Sequence, residues 1–209
     1  LCSRSGDTQL WEMNPDGSGL TQVTDVKGGI GGYIFSPDKS KLLFLQDVKL
    51  EKDVHDIYPD LPKANARLID GQMYRHWNQW VEAYTHPFVA DYRPGQPVTS
   101  GKDIMEDEHW ESPVRPWGGT EQLCWTADGK SVIYMARKKE GVAYALSTNT
   151  DLYRYDLATG ATVNLTEGMM GYDQNQVISP DGTLMAWESM ERDGYEADKI
   201  RLFVMNLAT

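Results

Sequence analysis

The sequence has no Gly-x-Ser-x-Gly elbow, so no serine nucleophile of the α/β-hydrolase type is set out in it. It has no phosphate loop and no dinucleotide fingerprint. Its four histidines, His55, His76, His86 and His109, do not fall at metal-ligand spacings. No catalytic residue, cofactor or metal ligand is therefore assigned, and the chain alone is expected to be catalytically inert. Cysteine is scarce. Cys2 and Cys124 are too few for a disulfide scaffold. Cys124 lies among apolar residues and reads as a small buried hydrophobe, while a bridge between the two is left open. No apolar run approaches the ~20 residues needed to span a bilayer, and no signal peptide is visible. A start methionine is also missing. The chain opens on Leu1-Cys2-Ser3 and reads as part of a longer protein, so the missing leader says nothing about the parent's compartment. Basic residues are outnumbered, 20 Lys and Arg against 31 Asp and Glu, for a net charge of −11. Such a surface disfavours nucleic acid and anionic membrane. It tolerates cations, such as the free amino end of a peptide, and its ordinary role is solubility.

What is present is ordinary in bulk: 209 residues, 40% hydrophobic, enough for one sizeable core or two small ones. Seven Trp and eleven Tyr are many for this length and suit strands and the floor of a binding groove. Internal repeats decide the fold. One unit recurs three times as an apolar strand, a Ser/Thr-x-Asp turn and a second apolar strand. The copies are Tyr33-Ile34-Phe35-Ser36-Pro37-Asp38 with 42–45, Leu123-Cys124-Trp125-Thr126-Ala127-Asp128 with 132–135, and Val177-Ile178-Ser179-Pro180-Asp181 with 185–187. Pro presets φ, Asp bonds its own nearby backbone and Gly accepts a positive φ, so each copy reads as a hairpin. A second unit aligns Leu10-Trp11-Glu12-Met13-Asn14, Leu152-Tyr153-Arg154-Tyr155-Asp156 and Leu202-Phe203-Val204-Met205-Asn206. The first two are followed by a Gly-containing turn (in the first, Gly17-Ser18-Gly19) and a polar strand.

Interleaving the two units gives a four-stranded motif, a to d, at the period of about 40–50 residues that marks propeller blades. The expected fold is all-β, a partial β-propeller of about three four-stranded antiparallel blades in one domain over 1–209. Blade portions fall at 1–27, 28–104, 118–167 and 168–209: strands c and d, two whole blades, then a to c. A chance sandwich of hairpins is the alternative. The second portion is too long for one blade and holds an insertion. Met73, Trp77, Trp80, Val81 and Tyr84 recur at helical spacing, so a helix is expected over 70–84, within an insertion near 62–86, with Asp70 as N-cap and Pro87 at its end. Packing onto the propeller is the plain role of its apolar face, and narrowing a pore or cleft the functional one. The preceding stretch, 51–62, reads as a charged, Pro-bounded loop.

The connection at 187–199 joins strands b and c of the last portion and concentrates acids around a tyrosine. Glu188, Glu191, Asp193, Tyr195 and Glu196 are the candidate substrate-binding residues, since charge-assisted bonds from carboxylates suit a peptide ammonium in a narrow cavity. The plainer alternative is a solvated turn whose acids cap its own backbone and pair with Arg192 and Lys199.

Four stretches carry a resemblance to a known family: Arg75-His76-Trp77-Asn78-Gln79-Trp80, Gly118-Gly119-Thr120-Glu121, Ser147-Thr148-Asn149-Thr150-Asp151-Leu152-Tyr153 and Asp193-Gly194-Tyr195-Glu196-Ala197-Asp198. In that order they resemble the propeller domain of prolyl-oligopeptidase-class serine peptidases, in the dipeptidyl-peptidase V and acylaminoacyl-peptidase branch. Many relatives carry Asp where this chain has Asn78, so no charged role is given to that position. The resemblance implies a downstream α/β-hydrolase domain as partner, peptide substrates, and a propeller that gates the active site and helps hold the substrate's amino end. It also implies a periplasmic or secreted setting. The other reading is a non-enzymatic periplasmic binding or scaffold propeller. Unclosed blades leave strand edges open, which points to a homodimer as the expected self-association.

Overall fold

The structure, a computed structural model, describes residues 1–71 and 75–207. The chain begins with a hairpin of β1 (Cys2–Ser5) and β2 (Asp7–Gln9), which the repeats did not foreshadow. A second hairpin pairs β3 (Trp11–Glu12) with β4 (Thr21–Gln22) across a turn at Gly17. Next come β5 (Gly32–Phe35) and β6 (Lys41–Val48). The insertion after β6 holds α1 (Val54–Ile57), β7 (Arg75–His76) and β8 (Gln79–Trp80). β9 (Tyr84–Asp91) and β10 (Lys102–Asp103) then complete an antiparallel sheet in the order β5-β6-β9-β10. A second sheet runs β11 (Leu123–Trp125), β12 (Ser131–Ala136), β13 (Asp151–Asp156) and β14 (Thr162–Asn164) in simple succession. A three-stranded sheet follows, β15 (Gln174–Ile178), β16 (Leu184–Ser189) and β17 (Arg201–Asn206). A short helix, α2 (Gly141–Leu146), sits between β12 and β13.

The repeated turn is built the same way three times. Ser36, Thr126 and Ser179 each donate a hydroxyl to the Asp two residues on, at 2.6, 2.7 and 2.5 Å. The same carboxylates accept the backbone N–H of Ser40, Lys130 and Thr183. These bonds hold Asp38 down to about 2 and lower Asp128 and Asp181 in the same direction.

The inner strands explain their unbroken apolar runs. Successive side chains of a strand face opposite sides. Leu42 and Phe44 of β6 join Leu10, Val23 and Val98 in one core, while Leu43 and Leu45 join Trp125, Val132 and Tyr134 in another. Ile133 and Met135 of β12 face a third core with Leu152, Met185 and Trp187. Each middle sheet is thus buried on both faces, as blades stacked side by side require. The last sheet keeps one side open, with Val177, Leu202 and Val204 exposed.

Among the described residues the expected helix over 70–84 does not form. The described part is the hairpin β7–β8, with Arg75 opposite Trp80 and His76 opposite Gln79. Trp77-Asn78 closes it as a two-residue turn, in which Trp77 takes the left-handed conformation such turns use, at φ +50°. The rings that mimicked a helical stripe find separate partners. Trp80 lies under the Arg67 and Arg75 guanidinium groups, at 4.4 and 5.3 Å, and Tyr84 meets His109 edge-on. Met73 lies outside the described residues. Asp70 sits in irregular backbone and caps no helix. Pro87 ends nothing; it lies inside β9 opposite Leu45, whose carbonyl already accepts the Gly31 N–H. The 51–62 stretch is not all loop either, because Asp53 and Asp56 form a capping box on the single turn of α1. Cys2 and Cys124 are both free, and burial pushes the Cys124 thiol up to about 12.

Candidate functional site

Three connections between second and third strands gather at one end of the sheets: the insertion with β7–β8, the 137–150 segment with α2, and the 190–200 loop. The segment 104–119 joins them. Asp193 ties two of these together. Its carboxylate accepts the Ser147 hydroxyl at 2.6 Å and the backbone N–H groups of Thr148 and Asn149 at 2.8 and 3.1 Å. The Gly194 N–H returns a bond to the Thr148 hydroxyl. Burial would push the Asp193 carboxyl up, but the Ser147, Asn149 and Thr148 donors outweigh it and hold it below its ordinary value.

That direction sets a pH dependence. A carboxylate depressed in the fold stabilises it above the ordinary carboxylate value, and the contribution is lost as pH falls through the depressed one. Asp193→Asn should therefore lower the melting temperature at neutral pH, and the difference should shrink on acidification. Faster amide hydrogen exchange at Thr148 and Asn149 in the variant would report the loosened tie.

The other acids of the loop are divided among tasks. Asp198 is almost fully buried and accepts the Glu191, Arg192 and Lys199 amides and the Arg192 guanidinium. The guanidinium first, then those amides, hold its carboxyl far below the ordinary range. Glu191 pairs with Arg201. Tyr195 lies under Arg192, whose guanidinium is 4.2 Å from the ring centre. Glu188 stands back on β16 and accepts the side-chain amides of Asn175 and Gln174 at 2.8 and 3.4 Å. Glu196 lines a cavity of about 440 Å³. The five candidates are therefore not one cluster. Glu188 is on a strand, three lie on the loop among internal partners, and Glu196 faces open space.

Sequence reasoning missed most of what lines that cavity. Trp77 and Trp117 meet at its mouth with ring centres 5.1 Å apart, and Arg137, Tyr172 and Met190 line it further. Beside it lies a second cavity of about 380 Å³, with Glu51, His109, Glu111, Glu140 and Tyr144 in its wall. His76 borders both. Glu111 is buried and held by the Arg115 Nε at 3.2 Å, the Arg115 N–H and the Tyr144 hydroxyl. Burial first, then the Glu111 charge, pushes the Tyr144 hydroxyl up. The signal for this end of the molecule was the length of the connections between second and third strands, each too long for a tight turn. Among the described residues no group of three His, Cys, Asp or Glu side chains is placed to hold a metal ion. None of the described helices is long and apolar enough to cross a membrane.

No model of a known protein family matches the chain. Over all 209 residues it is 52% identical to dipeptidyl-peptidase 5 of Porphyromonas gingivalis, and over 200 residues 50% identical to that of Porphyromonas endodontalis. This is a propeller segment of the prolyl-oligopeptidase class. The segment spans 30% and 29% of the length of those two relatives. In fold it matches the acylaminoacyl peptidase of Pyrococcus horikoshii with a TM-score of 0.60, across 95% of this chain and 27% of that one, at 14% identity. An acylaminoacyl peptidase in complex with Z-Gly-Gly-Phe-chloromethyl ketone matches at 0.61 over the same shares. The propeller segment thus corresponds to part of much longer proteins.

Proposed function

We propose that the propeller segment is the non-catalytic, substrate-handling part of a serine exopeptidase, working with an α/β-hydrolase domain elsewhere in the parent. The observation that carries this is the 52% identity across the whole segment to a protein named as a dipeptidyl-peptidase. An exopeptidase of that kind must count residues from a free amino end, and an acidic group at the rim of a cavity provides a partner for an ammonium. Of the five sequence candidates, Glu196 has that position. The gathered loops narrow access at this end, which fits a filter that admits peptides and excludes folded proteins.

The test uses the full-length protein. It should release dipeptides from chromogenic substrates with a free amino end and cleave the N-acetylated counterparts poorly. Glu196→Gln is expected to lower kcat/KM for the free-amine substrate roughly 10- to 100-fold, the value of a lost charge-assisted bond. Glu191→Gln, at a residue already paired with Arg201, should leave it unchanged. An unchanged value for Glu196→Gln would remove the ammonium role. Absence of any dipeptide release would remove the exopeptidase reading altogether.

A further inference from the structure

The 440 Å³ cavity has two features that its packing does not explain. The first is the tryptophan pair. Trp77 is 65% exposed and Trp117 78% exposed, although large apolar rings are normally withdrawn from water. Trp77 also sits at φ +50°, the left-handed region that a bulky side chain rarely takes. At the tip of β7–β8 that backbone costs free energy, and the local structure keeps it while the ring stands over Trp117. The second feature is Arg137. Its Nε is buried with no hydrogen-bond partner, and its guanidinium lies 5.0 Å from the Tyr144 ring centre. Among the described residues no carboxylate pairs with it, in a chain with 31 acids against 20 basic residues. Arg67, Arg115, Arg192 and Arg201 have such partners, and among the described arginines that lack one only Arg137 leaves a buried nitrogen without a hydrogen bond. A buried, unpaired donor is costly and calls for an acceptor.

We propose that this cavity is a side-chain-selective peptide subsite. Trp77 and Trp117 clasp an apolar side chain of the substrate, and Arg137 donates to an oxygen acceptor of the same peptide. The inference rests on the peptide-handling role proposed above and adds what that role selects. Two rings give a broad apolar contact without a closed pocket, so bulk and flatness are favoured over any one residue type. The guanidinium accepts its ligand through fixed, planar donors, which suits a carbonyl or carboxylate oxygen. The acceptor is a main-chain carbonyl or an acidic side chain, and the experiment separates them.

In the full-length protein, kcat/KM is compared on chromogenic dipeptides carrying Leu or Gly at the first position, and separately at the second. Trp117→Ala should reduce the value for the Leu substrate about tenfold at one of the two positions and spare the Gly substrate, the scale on which apolar pockets discriminate. Trp117→Phe should restore most of it. Equal losses on Leu and Gly substrates at both positions, or no loss, would overturn the clasp. Arg137→Gln should lower kcat/KM roughly 10- to 100-fold. A uniform loss over all substrates identifies a main-chain carbonyl, whereas a loss confined to Glu-containing peptides identifies a carboxylate. No loss on any of them overturns the Arg137 role. Binding read without turnover keeps the subsite separate from the peptidase reading. Free Leu- and Gly-containing dipeptides are titrated against intrinsic tryptophan fluorescence. Saturable quenching by the Leu peptide that disappears in Trp117→Ala supports the subsite even if no cleavage occurs, and no quenching in the unaltered protein overturns it.

Discussion

Gly171→Ala is expected to destabilise the protein more than most exposed or half-exposed changes and to displace the acidic loop. A Cβ at Gly171 would lie 1.7 Å from the Met190 carbonyl oxygen and 2.3 Å from its carbon. These are backbone atoms, so no rotamer change relieves the overlap. The chain must shift where the 168–173 segment meets the start of the 190–200 loop. The Gly171 carbonyl also accepts the Thr150 N–H and the Asn149 side-chain amide, so a shift there disturbs two further bonds. Overpacking of this kind costs about 1–3 kcal/mol, and more where backbone is involved. Gly31→Ala is the matched control, because its nearest neighbour would be the Leu45 Cβ at 3.8 Å and no backbone is crowded. Chemical denaturation should show a clear loss for Gly171→Ala and almost none for Gly31→Ala. Equal stability of the two variants would mean that the loop yields freely. Because Glu196 and Met190 border the same cavity, Gly171→Ala should also weaken peptide handling without touching any residue assigned to it.

His86→Leu should cause the other large loss. His86 is fully buried on β9. Its Nδ1 is 2.8 Å from an Asp103 oxygen on β10, and its Nε2 is 3.0 Å from the carbonyl oxygens of both Glu108 and Trp110. One ring therefore fastens the 104–111 segment to the sheet, and that segment leads directly to Glu111 and Trp117. Leucine fills the space but supplies no donor. It leaves a carboxylate and two carbonyls facing apolar surroundings, a situation worth roughly 3 kcal/mol or more. In a unit of this size that corresponds to a melting temperature about 6–12 °C lower. A loss under about 1 kcal/mol would show that water replaces the ring. The same ring explains why four histidines at no metal spacing still include one with demanding partners: its acceptors lie 17 to 24 residues away along the chain.

How much of this was legible depended on the range of the interactions. The blade hairpins were readable because their turns are local chemistry: Ser36, Thr126 and Ser179 each find an Asp two residues away, whatever the rest of the chain does. The apolar runs at 42–45 and 132–135 marked strands, but that each is buried on both faces came only from the stacking of the sheets. The 70–84 helix was misread because spacing alone says which residues align, not which neighbours their rings will meet. Trp80 took two arginines and Tyr84 took His109, so the apparent stripe was divided among separate partners. The acidic loop was found in the right place, but its division of labour was not visible. Asp193 was committed to Ser147, 46 residues earlier, and Asp198 to its own loop's amides, leaving Glu196 at the cavity.

By itself, then, the sequence determined the repeat, the turns, the apolar strands and the kinship with the prolyl-oligopeptidase class, all carried by short-range patterns or by their order along the chain. Only the tertiary structure decided that Trp77, Trp117, Arg137 and Glu196 share one cavity. Those residues sit on connections that carry no common period. Their meeting is set by how successive sheets stack, a contact geometry in which residues up to 119 positions apart become neighbours and for which no local propensity exists.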